Sequence, residues 1–375
     1  GFLFIVGNML YHYLKGNILH LSPLVIERIL RNADKTSKNG KFDHFFYITL
    51  FDDKMLYFHN DVRSIYDDLF RKYDINNYMF IDSKYLFFKT FFNLNGKIFF
   101  HGSTSPFWMQ LLLYTILIIL RLDEKAKKVT LVCWGETDFY NHGKKYSTFI
   151  QKIFSQIFNR INALVALSPG DMHLIEKLYP TANCENIPYI ASREIKRKEK
   201  KGRNINIMIS HSGWPHNQHF YSFELLSSYA FENIDVFCPL CYGDKVYIED
   251  VIKRGKEIFG DKFHYFVDLK STEEYDDFLH SIDVYVSAAA IQTGLYDLMT
   301  TMLSGAKAYI TGNLYSSMKE YGFIVNDLKT LSDLPFEQFA TVLDSESYNH
   351  NVNVYSFKYV NVEELQGKWK RIYSE

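Results

Sequence analysis

Short apolar runs of strand length alternate along this chain with stretches whose apolar positions recur every three or four residues. In the first half the strand-like runs are Phe2–Val6, Phe45–Leu50, Asn77–Ile81, Ile98–Phe100, Lys128–Cys133 and Ala163–Leu167. Between them, Leu24–Asn32, Val62–Tyr73, Tyr146–Arg160 and Gly170–Leu178 carry helical spacing. The long apolar run Pro106–Leu122 falls just short of a bilayer span and contains Gln110, so it reads as a core helix. The second half restarts the alternation. Strands are predicted at Ile205–Ser210, Asp235–Pro239, Phe263–Val267, Asp283–Ser287 and Ala308–Ile310. Helices are predicted at Phe220–Tyr229, Tyr247–Phe259, Ser271–Ser281, Leu295–Ser304 and Val362–Tyr373. Repeated strand–helix alternation of this kind predicts parallel sheets covered on both faces.

Between the two series lies Arg193–Arg203, charged and almost free of apolar residues, which reads as a linker. The expected organisation is therefore two Rossmann-like domains, 1–195 and 203–350, with 351–375 returning across the first. The length of 375 residues and a hydrophobic content of 47% suffice for two cores. A formal net charge of -1 gives no support to nucleic acid as a partner. Four cysteines in so long a chain are not a disulfide framework, and they fit a reducing cytoplasm. Cys238-Pro-Leu-Cys241 has redox or half-zinc spacing, but no second pair accompanies it, so it reads as the end of a buried strand. Phe2–Val6 lacks the basic flank and length of a secretory signal.

The candidate chemistry sits where strands end. Ser210-His211-Ser212-Gly213 follows a buried strand and is expected to open a helix, offering amides of Ser212 and Gly213 to a diphosphate. There is no G-x-G-x-x-G, which argues against a nicotinamide dinucleotide. A second such turn, Ala288–Leu295, brings Gln292, Thr293 and the amides of Gly294 and Leu295. At a third strand end, Tyr242 is placed to stack on a base or cover a diphosphate. In the first half, His101 and the pair Glu136 and Asp138 end two strands and are the candidate general bases. Glu136-x-Asp138 also has the look of a metal-binding pair. A helix terminus can neutralise a diphosphate instead, so neither a metal nor another cofactor is expected.

These motifs line up with a known family. Phe99-Phe100-His101-Gly102, Trp108 and Cys133-Trp134-Gly135-Glu136-Thr137-Asp138-Phe139-Tyr140 resemble segments of glycosyltransferase family 56, the second resembling its Trp-Gly-x-Asp-Leu-Tyr. INIMISHSGWPHNQH is similar to the family's Gly-Asn-Ser-Gly-Asp-x-Ser-Asn-x-His segment, matching at Ser212, Gly213, Asn217 and His219. PLCYGDKVYIEDVIKRGKEIFG, Gln292-x-Gly294 and Leu365-Gln366-Gly367-Lys368-Trp369 continue the likeness, collinear from about residue 98 onward. The resemblance implies a GT-B fold, with two doubly wound Rossmann-like domains facing across a cleft. It implies transfer of a 4-acetamido-4,6-dideoxy hexose from a nucleotide-diphosphate donor (TDP-Fuc4NAc in the family) to a polyprenyl-diphosphate-linked saccharide. The expected location is the cytoplasm, peripheral to the inner face of the cell membrane. Asn217 and His219 join the donor-binding candidates on this ground. The chain departs from the family pattern at Ile291, where the family has Arg, at Trp214, and by one extra residue before Asp138.

Two other readings compete: a nucleotide-sugar 2-epimerase of the same fold, and a non-catalytic binding protein that kept it. The amphipathic Tyr146–Arg160, with Lys144, Lys145, Lys152 and Arg160, reads equally as a helix packed on the first-domain sheet and as one laid on a membrane surface.

Overall fold

The computed structural model describes residues 9–15, 29–31, 33, 43–50, 62–102, 115–117, 120–133, 148–191, 197, 204–268, 270–289, 291–341 and 343–374. The chain forms two compact units, Gly1–Ser192 with Tyr359–Glu375, and Arg193–Lys358. Each is built on one parallel sheet, so the chain forms the expected pair of doubly wound Rossmann-like domains.

The first unit carries seven strands. They are β1 (Met9–Lys15), β2 (Asp43–Thr49), β3 (Tyr78–Ile81), β4 (Lys97–His101), β5 (Val129–Cys133), β6 (Ala163–Ala166) and β7 (Cys184–Asn186). Their spatial order is β3-β2-β1-β4-β5-β6-β7. Side chains alternate between two cores, as a strand requires. Tyr13, Tyr47, Ile98 and Phe100 face one core, with Phe87 and Phe91 of helix Lys84–Asn93. Leu10, Leu14, Phe46 and Phe99 face the other. The return segment completes that second core. Helix Val362–Ser374 inserts Trp369, Ile372 and Tyr373, all buried, and Trp369 Nε1 donates to the Pro188 carbonyl at 3.1 Å.

The second unit has β8 (Ile205–Ile209), β9 (Ile234–Pro239), β10 (Phe263–Phe266), β11 (Val284–Ser287), β12 (Lys307–Ile310) and β13 (Asn326–Asp327). Their order is β10-β9-β8-β11-β12-β13, all parallel. Local chemistry sets the helix starts. Asp244 caps Lys245–Phe259 by accepting from the Tyr247 amide, and Ser271 with Glu274 forms a reciprocal capping box at Thr272–Ser281.

Several expectations need amendment. The strand at Phe2–Val6 and most of the apolar run Pro106–Leu122 lie outside the described residues, as does most of Leu24–Asn32. The pattern missed β1, whose residues Met9–Lys15 carry polar His12 in a core-facing position. It also missed helix Lys84–Asn93 and the three C-terminal helices Gly312–Tyr321, Phe336–Ala340 and Ser345–Tyr355. The return to the first unit begins at Tyr359, because Ser345–Tyr355 still packs in the second. The amphipathic stretch is helical over Thr148–Phe158, but its apolar stripe faces the sheet. Phe154, Ile157 and Phe158 are buried there, and Ile150 and Ile153 pack against them; only Phe149 stands out, 72% exposed. Of the two readings the sequence allows for this stretch, the structure shows the helix packed on the sheet. Among the described residues no helix is long and apolar enough to cross a membrane.

Removing Trp369 deletes the largest fully buried side chain among the described residues and a hydrogen bond. Trp369→Ala should lower the stability of the first unit by about 3–5 kcal/mol. Urea unfolding would show this as an earlier transition, and a shift worth less than about 1 kcal/mol would mean that the helix docks without it.

Candidate functional site

In a doubly wound sheet, ligands sit beyond the strand C-termini where neighbouring strands send their chains in opposite directions. In the second unit that gap lies between β8 and β11. Both expected turns are there. Ser210 leaves β8 with a left-handed φ of 55°, and Gly294 ends the loop after β11 at φ 68°. His211 joins them: its Nε2 lies 3.2 Å from Ser212 Oγ and 3.0 Å from Thr293 Oγ1. Its Nδ1 is buried without a hydrogen-bond partner, as is the Tyr285 hydroxyl. Burial lowers the His211 pKa to about 3, with smaller effects from His216 and His219, so the ring is neutral.

The first turn differs from its expected form. Asn217 Nδ2 donates to the Ser212 carbonyl at 2.6 Å and to Ser212 Oγ at 2.9 Å. Ser212, Asn217 and His219 are each fully buried, so they brace the turn from within. The Gly213 amide donates to the Tyr242 carbonyl at 2.8 Å, and the Asp244 amide donates to the Gly213 carbonyl at 3.0 Å. A Cβ on Gly213 would lie 2.2 Å from Ile248, and one on Gly243 would lie 2.2 Å from Gly213 itself. Gly213 is therefore needed for close approach of two loops, and its amide is committed there rather than held out to a diphosphate. A 3-10 turn, Pro215–Asn217, separates this loop from helix His219–Leu226, and the Tyr247 hydroxyl accepts the His219 amide at 3.1 Å. The expected anion site at that helix start is thus already capped.

The second turn keeps its capacity. Gly294 begins helix Leu295–Leu303 with no capping side chain, and Thr293, Gly294 and Leu295 are only half-buried. Gln292 is buried and accepts from Ser317 Oγ at 2.9 Å, which fixes its amide beside the turn. Two tyrosines and a carboxylate that the sequence pattern did not single out stand behind it. The Tyr275 hydroxyl donates to buried Asp297 at 2.6 Å, and burial, then Asp297, hold the Tyr285 phenol well above the usual range. The Tyr242 phenol is raised by the same causes, burial first and Asp297 next. Tyr242 as a whole is half-buried, whereas Trp214 is 40% exposed and stacked on His216. At the foot of the third loop, Cys238 is buried in β9, and burial raises the Cys241 thiol to about 11.

In the first unit, Glu136 and Asp138 lie outside the described residues. His101 ends β4, but its ring turns inward. Nδ1 lies 2.5 Å from the Tyr189 hydroxyl and Nε2 lies 3.0 Å from His12 Nδ1. With both nitrogens engaged and the residue 2% exposed, His101 has no nitrogen left for an acceptor hydroxyl. Its expected role as a base in direct contact with substrate is corrected accordingly.

With this geometry in view, comparison with known proteins is decisive on family. The profile of the family described as 4-alpha-L-fucosyltransferase glycosyl transferase group 56 matches residues 72–299, more than half the chain. The chain belongs to glycosyltransferase family 56. This family 56 enzyme has no match among curated proteins. Solved structures share its fold. HepE from Anabaena, in complex with UDP and glucose, has a TM-score of 0.66 at 9% identity, covering 98% of this chain and 99% of that one. A glycosyltransferase from Rickettsia africae has a TM-score of 0.62 at 12% identity, covering 98% of each chain. A putative UDP-N-acetylglucosamine 2-epimerase from Listeria monocytogenes has a TM-score of 0.54 at 11% identity, covering 97% and 95%. At such identities these structures speak for the fold alone, and the family match separates the transferase from the epimerase reading.

In the family 56 enzyme, Gly294 tests the second turn. Its φ is 68°, and a Cβ there would lie 2.8 Å from both His211 Nδ1 and the Tyr285 hydroxyl. Gly294→Ala should destabilise the second unit by about 1–3 kcal/mol. Thermal melting would read this, and a variant that melts with the parent would show that the turn relaxes freely.

Proposed function

We propose that the enzyme moves a hexose of the 4-acetamido-4,6-dideoxy type from a nucleoside diphosphate to a polyprenyl-diphosphate-linked saccharide, in surface polysaccharide synthesis at the inner face of the cell membrane. The observation that carries the donor half is the turn Thr293-Gly294-Leu295 at the gap between β8 and β11. Helix Leu295–Leu303 starts there without a side-chain cap, and such a start attracts a diphosphate through its amides and dipole. Thr293, fixed by His211, and Gln292, fixed by Ser317, are the polar side chains beside it. The nucleotide and sugar bound in the HepE structure belong to that protein and support the donor class here by fold. The acceptor half rests on the family resemblance, with Asp138 or Glu136 taking the proton of the acceptor hydroxyl. No metal is assigned a role, since the helix terminus supplies the positive end.

Calorimetric titration with TDP, UDP, GDP and CMP, with and without Mg²⁺, tests the donor half. Preference for one nucleoside diphosphate without metal is expected, and TDP would point to the 4-acetamido-4,6-dideoxy sugars. Absence of binding to all four would sink the reading. Asp138→Asn should cut turnover by about 10²-fold or more while sparing donor binding. Unchanged turnover would remove Asp138 as the base.

A further inference from the structure

Helix Lys84–Asn93 is apolar on more than its core side. Phe87 and Phe91 are buried in the core on one face of the first sheet, and Leu86 and Phe88 pack partly against it. The stripe pointing away from the sheet is polar in an ordinary surface helix. Here it holds Tyr85, Lys89 and Phe92 at positions i, i+4 and i+7, with Phe88 on its flank. Tyr85 is 74% exposed, and Phe92 is exposed too. These groups meet one another along the helix: Phe88 and Phe92 stack with centroids 6.5 Å apart, and Lys89 Nζ lies 5.9 Å from the Tyr85 ring centre. Neighbouring helices of the unit are finished differently. The exposed positions of Val62–Lys72 include Arg63, Asp68, Arg71 and Lys72, and those of Pro169–Leu178 are His173, Glu176 and Lys177.

A second exposed ring stands on the same side of the sheet. Helix Thr148–Phe158 packs Phe154, Ile157 and Phe158 into the core that holds Phe87 and Phe91, and it leaves Phe149 and Lys152 outside. Both helices lead directly into the start of a strand, β4 and β6, so their last turns lie at the sheet's N-terminal edge. Tyr85 and Phe149 each occupy a first turn. They therefore stand toward the strand C-termini, the edge at which doubly wound sheets take ligands.

Charge singles out the same side. The whole chain is close to neutral, at -1, yet residues 83–122 contain no Asp or Glu, and neither do residues 139–170. Lys89 and Lys152 are exposed on the two helices. Of the carboxylates that bound these stretches, Asp171 is buried, Asp123 pairs with Arg160 at 3.3 Å, and Asp82 is exposed just before the first helix. Exposed aromatic rings flanked by lysines and without carboxylates on their own helices suit an anionic lipid surface. Phenol and phenyl rings settle at headgroup level there, and ammonium groups reach the phosphates. A second copy of this chain docked through the same face would set lysine against lysine.

We propose that the outer face of helix Lys84–Asn93, together with Phe149, docks the first unit on an anionic membrane surface with its ligand edge toward the lipid. Tyr85, Phe92 and Phe149 supply the apolar contact, and Lys89 and Lys152 the electrostatic one. The proposal rests on the membrane-borne acceptor of the reading above. A saccharide tethered to the bilayer by its polyprenyl chain has to be met at the surface, and this face holds the ligand edge there.

Flotation of the full chain with vesicles tests the docking. The parent should float with vesicles of phosphatidylcholine and phosphatidylglycerol in equal parts, and much less with phosphatidylcholine alone. The double variant Tyr85→Ser/Phe149→Ser should bind the mixed vesicles about 10-fold or more weakly, and Lys89→Glu/Lys152→Glu should weaken binding comparably. All four side chains are exposed, so both variants should melt with the parent, and either one serves should the other misfold. Phe231→Ser, at an exposed ring of the second unit, should bind as the parent does. A parent that stays out of the lipid, equal flotation with both vesicle types, or double variants that float like the parent would overturn the proposal. So would a dimer of the parent, seen by sedimentation, that Tyr85→Ser/Phe149→Ser disperses, since the face would then belong to a second copy. Nucleotide titration separates this from the transferase reading. Lost lipid binding with nucleotide binding intact ends the docking alone, and lipid binding without nucleotide binding ends the donor reading alone.

Discussion

At one gap in each sheet, neighbouring parallel strands send their chains away in opposite directions. The gap is β1–β4 in the first unit and β8–β11 in the second. Ligands of doubly wound sheets sit at such a point, and the unusual residues described in this chain gather beside it. The left-handed Ser210 and Gly294 border the gap in the second unit, and His12 and His101 pair across it in the first.

The two gaps are finished in different ways. In the second unit, small residues and hydroxyls bring three loops together. Gly213 and Gly243 touch backbone to backbone, and His211 ties Ser212 to Thr293. The bracing residues are buried, which leaves Thr293, Gly294 and Leu295 as the part that remains open. In the first unit, the gap is lined behind by imidazoles and sealed by Trp369 and Tyr373. Burial holds His44 near a pKa of about 4 and His101 near about 3, so both persist as neutral hydrogen-bonding rings.

How far the sequence could be read follows from these features. Parallel strands buried on both faces are apolar runs, and β5, β6, β8, β9 and β11 stood out for that reason. β1 did not, because its core face reads Leu10, His12, Leu14 and its other face holds tyrosines. The turn after β11 was legible as a small-residue corner opening a helix. The turn after β8 looked alike in sequence, yet Gln218 at a left-handed φ of 50° and the Pro215–Asn217 turn move the helix start away from Gly213. His211 stood in the first motif without a role of its own, because that role depends on Thr293, more than eighty residues later. Asp297 escaped because its partner Tyr275 lies on a different helix. Periodicity reports local burial, and it cannot report which loops a sheet brings together.

The return helix has a consequence for synthesis. The sheet of the first unit is made early, but the core on one of its faces lacks Trp369, Ile372 and Tyr373 until residues 359–375 leave the ribosome. Residues 193–358 need nothing that follows them and close around their own sheet first. The amino-terminal unit is therefore the last to mature. While it waits it holds an unsealed apolar face carrying His12, His44 and His101, a surface suited to chaperone capture during translation.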